Sequence, residues 1–211
     1  MSKSALRISM IRKENASMLE RKSPLSSVRI LGTFGKTDEG IGVKVREIKE
    51  FSYLEIALWE AEPQALTAKF SELLGLAALP KAGAASKLKG GHLMRIAPRR
   101  LAYLGEAETA AVLEATIAPT EGSVIALGHS RCCLNLSGDK VTDLLSRGVR
   151  LDLRERAFPV NAVRQTEIHG LGVMLVRRGT VEFDLLFMRS SAGSLWHWLT
   201  VSAAQFGYEV E

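Results

Sequence analysis

Apolar positions recur along this chain with two different periods, and the switches between them outline its elements. Cys132, Leu134 and Leu136 alternate with Cys133 and Asn135, the period of two expected of a half-buried strand. Ser137-Gly138-Asp139 follows as a turn carrying two side-chain oxygens suited to capping a helix start. Val141, Leu144 and Leu145 then fall at i, i+3 and i+4, one face of a helix of about two turns. Gly148 stands where a left-handed C-cap would be placed. Leu151-Asp152-Leu153 and Phe158-Pro159 lead into a second strand over residues 163–168. The stretch 131–166 therefore reads strand, turn, short helix, loop, strand.

The same reading extends in both directions. Residues 28–31, 43–48 and 51–58 predict strands. Glu62-Pro63 opens a helix whose Leu66, Phe70, Leu73 and Leu74 share a face and whose stop is Gly75. Residues 81–91 are small, basic and Gly/Ala-rich, a mobile loop by composition. Two short strands, 92–96 and 100–104, flank Pro98, and a helix from about Glu106 turns Ala110, Leu113 and Ile117 inward. Residues 119–122 are the expected seam between lobes. Beyond residues 124–127, a hairpin of 172–177 and 181–188 turns at Arg178-Gly179-Thr180. Ser190 or Ser191 caps a final helix that carries Leu195, Trp198, Leu199 and Phe206 on its inner face, with Trp196 on its flank and Gly207 as its stop. The expected fold is α+β: two similar lobes of antiparallel or mixed sheet with packed helices, over 23–118 and 119–211, preceded by a basic, flexible leader over 1–22.

Charge adds to this picture at one end. The formal net charge is +5. Residues 1–29 account for all of it, with Lys3, Arg7, Arg12, Lys13, Arg21, Lys22 and Arg29 against Glu14 and Glu20. Such a leader can meet nucleic acid, acidic protein or a membrane surface, but a solvated terminus is the simpler expectation. An organelle presequence has a similar composition, against which the two glutamates argue. No apolar run approaches the roughly 18 residues needed to span a bilayer, and no signal peptide is evident. A soluble, cytoplasmic chain is expected. The adjacent Cys132 and Cys133 point to opposite faces of one strand, so reduced thiols are expected rather than a disulfide. With 46% apolar residues and a mean hydropathy of +0.07, the composition suits a subunit with a large contact surface.

Candidate chemistry is sparse. Gly35-Lys36-Thr37 ends like a phosphate-binding loop, but Gly32 and Gly35 have two residues between them where that loop needs four. Asp38-Glu39 then puts acid where the phosphate-binding helix should begin, so a flexible loop is expected. His129 with Cys132 or Cys133 would supply two zinc ligands and lacks the others. A Cys or Ser nucleophile beside His129 is no better supported, because triads assemble in space. His92, His169 and His197 stand alone. Arg99-Arg100 and Arg177-Arg178 could meet phosphates; without interleaved aromatics, solvated faces are expected. No residue is assigned a catalytic, cofactor-binding or metal role. Trp196 and Trp198 are the candidate partner contacts; at i and i+2 they point about 160° apart, so one can be core while the other is surface.

Arg131, Ser137-Gly138, Asp152-Leu153, Phe158-Pro159, Gln165-Thr166, Arg189-Ser190 and Trp196-His197-Trp198-Leu199, with Ser23-Pro24-Leu25 at the start, together form a set of motifs. In them the chain resembles the gamma subunit of heterotetrameric sarcosine oxidase. The resemblance is dense over 123–207 and thin over 23–120. Asn161, where the family often has glycine, and the long basic leader depart from it. The resemblance implies a fold like the folate-binding aminomethyltransferase of glycine cleavage. It also implies membership of a complex that oxidises sarcosine and passes the one-carbon unit to tetrahydrofolate. FAD, FMN, NAD and the folate site would then belong to the large subunits and zinc to the smallest; this chain would carry no cofactor and would partner the other subunits, chiefly the large alpha subunit. A related subunit of N-methylglutamate dehydrogenase and a stand-alone folate-binding protein are the alternatives.

Overall fold

Strand pairing, rather than chain order, decides how the elements come together. The computed structural model describes residues 22–211, so the expected leader lies outside the described residues except for Lys22. The first half runs β1 (Gly32–Phe34), β2 (Val43–Ile48), β3 (Ser52–Leu58), α1 (Gln64–Leu74), β4 (Ala85–Leu88), β5 (Gly91–Ala97), β6 (Arg100–Gly105) and α2 (Ala107–Thr116). Then follow β7 (Gly122–Ala126), β8 (Arg131–Ser137), α3 (Val141–Ser146), β9 (Val163–Ile168), β10 (Leu171–Gly179), β11 (Glu182–Met188), α4 (Ala192–Ala203) and β12 (Tyr208–Val210). Among the described residues they form a seven-stranded sheet, β1-β12-β2-β8-β11-β10-β9, and a five-stranded sheet, β4-β5-β6-β3-β7. β12 and β2 run parallel; the other neighbours are antiparallel.

The α+β class is as expected, and three apolar clusters explain the layering. In the large sheet, Leu134 and Leu136 pack with Leu144 and Leu145 of α3 and with Leu195 and Leu199 of α4. In the small sheet, Leu54, Ile56, Leu101 and Tyr103 pack with Leu66 and Phe70 of α1 and Leu113 of α2. The opposite strand faces meet each other: Tyr53, Met94, Ala102 and Leu104 against Cys133, Met174, Val176 and Leu186. The layers are helix, sheet, sheet, helix. Strands covered on both sides are largely apolar at successive positions, as in the unbroken buried runs 101–104, 132–136 and 183–187, where Asn135 and Asp184 are the polar exceptions. Cys132 belongs to the outer core and Cys133 to the inter-sheet core. At one edge the sheets are joined by backbone, with Val163 N–H donating to Gly83 O (2.8 Å) and Ala85 N–H to Asn161 O (2.7 Å).

Several local expectations need correction. The sheets do not divide at residues 118/119. β7 pairs with β3, Leu58 opposite Gly122 and Leu54 opposite Ala126, while β2 pairs with β8, Val45 opposite Leu136. The first strands thus complete the C-terminal sheet. Residues 28–31 form no strand, and pairing begins at β1. The loop expected over 81–91 contains β4, which gains its ladder from β5. Leu73 is exposed, with Leu66 and Phe70 filling the inner face of α1 instead. Neither Ser137 nor Asp139 caps α3, since Ser137 is still in β8 and the first turn is closed by backbone, Val141 N–H to Gly138 O (3.2 Å). Ser191 precedes α4 without a side-chain cap. Gly75 does adopt the left-handed C-cap, φ 66°.

Candidate functional site

The residues of the family motif hold turns and close packing. Ser23 Oγ donates to Glu47 Oε1 (2.5 Å) and accepts from Leu25 N–H (3.0 Å), and Leu25 is fully buried. Gly138 has φ +120°, and a Cβ there would stand 3.0 Å from the Gly42 carbonyl carbon. Asp152 accepts from the backbone N–H (3.0 Å) and Nε (2.7 Å) of Arg154. Those bonds, the side-chain one foremost, hold its carboxyl down at about 2. Phe158 stacks on Phe183 with centroids 6.3 Å apart, and Pro159 is exposed. Arg189 Nη2 donates to Lys22 O (2.5 Å), while Ser190 is exposed. Asn161 has φ 66°, a left-handed conformation that asparagine tolerates better than other side chains and glycine tolerates freely. Its departure from the family pattern is therefore conservative in backbone terms.

Polar groups gather between the sheets. A cleft of about 210 Å3 opens there, with Tyr53 and Glu55 on one wall and Arg131, Gln165, Thr166 and Met188 on the other. Arg131 Nη2 donates to Glu55 Oε1 at 3.0 Å, Tyr53 Oη donates to the same oxygen at 3.1 Å, and the guanidinium lies 5.4 Å from the Tyr53 ring centroid. Burial, followed by the Glu55 charge, raises the Tyr53 hydroxyl well above its ordinary value. The Arg131 and Glu55 charges neutralise each other across the two sheets, with the neutral Tyr53 hydroxyl bonded to the same carboxylate oxygen. The volume falls below the roughly 300–1,000 Å3 usual for drug-sized ligands.

A second cluster lies deeper. Arg178 Nε meets Asp184 Oδ2 at 2.5 Å, and Asn135 Nδ2 donates to Asp184 Oδ1 (2.8 Å) and Glu182 Oε1 (3.0 Å). His92 faces it and titrates at about 4, lowered by burial first and by the Arg178 charge second. Arg177 is buried and spends its donors on four backbone carbonyls: Leu153 and Phe158 (both 2.9 Å), Gly179 (3.1 Å) and Thr180 (2.6 Å). Solvated faces were expected for both arginine pairs. Only Arg99-Arg100 is exposed; Arg177 and Arg178 sit where carbonyls and Asp184 need a cation.

His129 is exposed on a short 3₁₀ turn, Gly128–Ser130, while Cys133 lies in the inter-sheet core. Among the described residues no group of three or more His, Cys, Asp and Glu could hold a metal ion. The glycine-rich segment at 32–42 packs against the end of the last helix. Lys36 N–H donates to Ala204 O (2.6 Å), and a Cβ on Gly35 would stand 2.6 Å from Ala204 Cα. That close approach, rather than phosphate binding, accounts for the glycine.

The two tryptophans separate, in the opposite sense to the expected helix face. Trp196 is buried with Ala192, Leu195, Leu199 and Ala203, the i, i+3, i+4, i+7 series that α4 turns to the sheet. Trp198 is half-buried on the flank. Its ring lies over Gly148, whose Cβ would come within 2.9 Å of Cη2, and 6.2 Å from the His169 ring. Gly148 is therefore required by an indole, and it lacks the positive φ of a left-handed cap. His169 (φ 51°) and Gly170 (φ 75°) form the tight turn between β9 and β10. Arg147, His169, Leu171, His197, Trp198 and Val201 border a groove of about 640 Å3 outside α4. Sequence reasoning found the tryptophans but missed the groove, which is built by residues some fifty positions apart.

Two facing sheets backed by helices define the aminomethyltransferase type of fold. The chain is similar to the glycine cleavage system aminomethyltransferase T of Bartonella henselae, with a TM-score of 0.60 and 18% identity over 81% of this chain and 48% of that one. No family model matches the sequence. A chain of the heterotetrameric sarcosine oxidase from Corynebacterium sp. U-96, solved in complex with pyrrole 2-carboxylate, matches with a TM-score of 0.75 and 22% identity, over 88% of this chain and 96% of that chain. In sequence the chain resembles the sarcosine oxidase subunit gamma of Corynebacterium sp. (strain P-1), 33% identical over 103 residues, which are 49% of this chain and 51% of that protein. The alignment thus spans about half the length of the curated relative. The resemblance read from the motifs and the aminomethyltransferase-like fold are both met. No helix among the described residues is long and apolar enough to cross a membrane.

Proposed function

We propose that this chain is the gamma-type subunit of a sarcosine oxidase-like complex. In this reading it packs against the large, folate-site subunit and stabilises it without carrying chemistry of its own. The observation that supports it best is the coincidence of two likenesses. The sequence matches a sarcosine oxidase gamma subunit, and the fold matches nearly the whole of one chain of a heterotetrameric sarcosine oxidase. The self-neutralised Arg131–Glu55–Tyr53 cluster agrees, since it leaves those groups committed to holding two sheets together. The complex would be a cytoplasmic oxidoreductase that demethylates sarcosine and transfers the one-carbon unit to tetrahydrofolate. Its flavins, NAD, folate and zinc would reside on the companions, as the resemblance implies.

Co-expression tests this. With the companion subunits present, omitting this chain should reduce the yield or thermal stability of the assembly and its sarcosine-dependent peroxide formation. Full assembly and activity without it would sink the proposal. Turnover of sarcosine against N-methylglutamate by the same preparation separates the two related complexes. The likeness to aminomethyltransferase T favours one further reading, a stand-alone folate-binding protein. Tight tetrahydrofolate binding by the isolated chain would support it.

A further inference from the structure

Helix α4 occupies the outside of the fold yet has the composition of a covered helix. Its sequence, AGSLWHWLTVSA, contains no Asp, Glu, Lys or Arg, and His197 is its single ionisable side chain. One face is spent on the core through Leu195, Trp196 and Leu199. Trp198 and Val201 form a second apolar stripe, with Val201 62% exposed. Surface helices place charged and polar residues opposite their buried face, and this outer face has no formal charge. Leu171 extends the stripe into the floor of the 640 Å3 groove, whose borders carry Arg147, His169 and His197 and no carboxylate among the described residues. The nearest acid on β9, Glu167, is engaged by Arg150 at 3.2 Å.

We propose that this groove receives an acidic segment of a companion polypeptide. An apolar side chain of that segment seats between Trp198 and Val201, and flanking carboxylates face Arg147 and His197. The inference rests on the subunit reading above and names the surface it uses. Charge selects the occupant: apolar floor and basic rim are complementary to an acidic, apolar-bearing segment. The chain's own residues 1–21 carry five basic and two acidic side chains and would repel the rim. A second copy would bring two basic rims together.

The test measures binding of the purified full chain to the immobilised companion subunits. Val201→Asp should weaken binding at least tenfold, and Arg147→Glu several-fold. Raising salt from 50 to 500 mM, roughly a threefold shortening of the screening length, should weaken the wild type. Leu73→Asp, at an exposed apolar position on α1, should bind within twofold of wild type. Both groove sites are exposed, and matched melting curves would confirm that the variants fold. If wild type binds and the groove variants bind within twofold of it, the groove is not the contact and the inference falls while the subunit reading stands. If wild type does not bind, both fall. If deleting residues 1–21 tightens binding tenfold, the leader is the occupant and the inference is overturned.

Discussion

Replacing Arg177 by methionine would measure how much one buried cation contributes to the fold. Arg177 is 4% exposed and has no carboxylate partner among the described residues. Its guanidinium bonds the carbonyls of Leu153 and Phe158 on one side and of Gly179 and Thr180 on the other, with the Phe183 ring centroid 5.2 Å away. Methionine keeps much of the stem over that ring and removes every donor. Hydrogen bonds to a charged group contribute about 1.5–3 kcal/mol each. The turn carbonyls of Gly179 and Thr180 can recover water, whereas those of Leu153 and Phe158 lose a buried donor. Counting mainly the buried pair gives a loss of about 3–6 kcal/mol, less whatever is recovered because the guanidinium no longer has to be desolvated. For a chain of this length that is a melting-temperature decrease of roughly 6–24 °C. Urea unfolding followed by tryptophan fluorescence supplies the free energy, and limited proteolysis reports whether residues 147–162 open first. Arg177→Lys should fall between, since an ammonium keeps the charge without the fork. A loss below about 1 kcal/mol for Arg177→Met would refute the reasoning, because desolvation would then have cancelled all four bonds.

Other outcomes follow from single contacts. Gly148→Ala should destabilise by about 1–3 kcal/mol, as overpacking does, because the new methyl meets the Trp198 ring; Gly148→Ala combined with Trp198→Leu should recover part of that in the same unfolding assay. His92 has its folded-state value lowered from 6.5 to about 4, chiefly by burial and then by Arg178, with Asp184 opposing. The unfolded chain therefore binds the extra proton first, so this contribution is present above about pH 6.5 and is lost as pH falls toward 4. His92→Gln should flatten the stability-versus-pH curve in that window, and an unchanged slope would count against the assignment. Cys132 and Cys133 are buried, and burial pushes the Cys133 thiol up. Neither should react with a disulfide reagent until the protein unfolds, and rapid native labelling would contradict the inter-sheet placement.

Local grammar was legible in the residues wherever one segment decides its own conformation. The strand at Arg131–Ser137, the apolar face of α2, the Gly75 stop and the opposite faces of the two cysteines appear as read, although residues 132–136 are buried on both faces rather than half-buried. These depend on backbone geometry and on which neighbours at i+2, i+3 or i+4 are apolar. Reading failed where the deciding partner is remote. β4 looked like loop because its small residues gain order from β5. Residues 28–31 looked like strand but pair with no strand among the described residues, and Gly148 looked like a cap because Trp198, fifty residues on, cannot be seen from residue 148.

The sequence by itself determined the α+β class, the position of most elements and the family it resembles, since each follows from short-range periodicity or from motifs read in order. The tertiary structure alone decided that β1 and β2 complete the C-terminal sheet and that β7 belongs with β3. It also decided that Arg177 is interior and that Trp196 is core while Trp198 borders a groove. The reason is physical: hydrogen-bond ladders and burial are set by whichever distant segments arrive opposite one another, and no local pattern encodes that arrival.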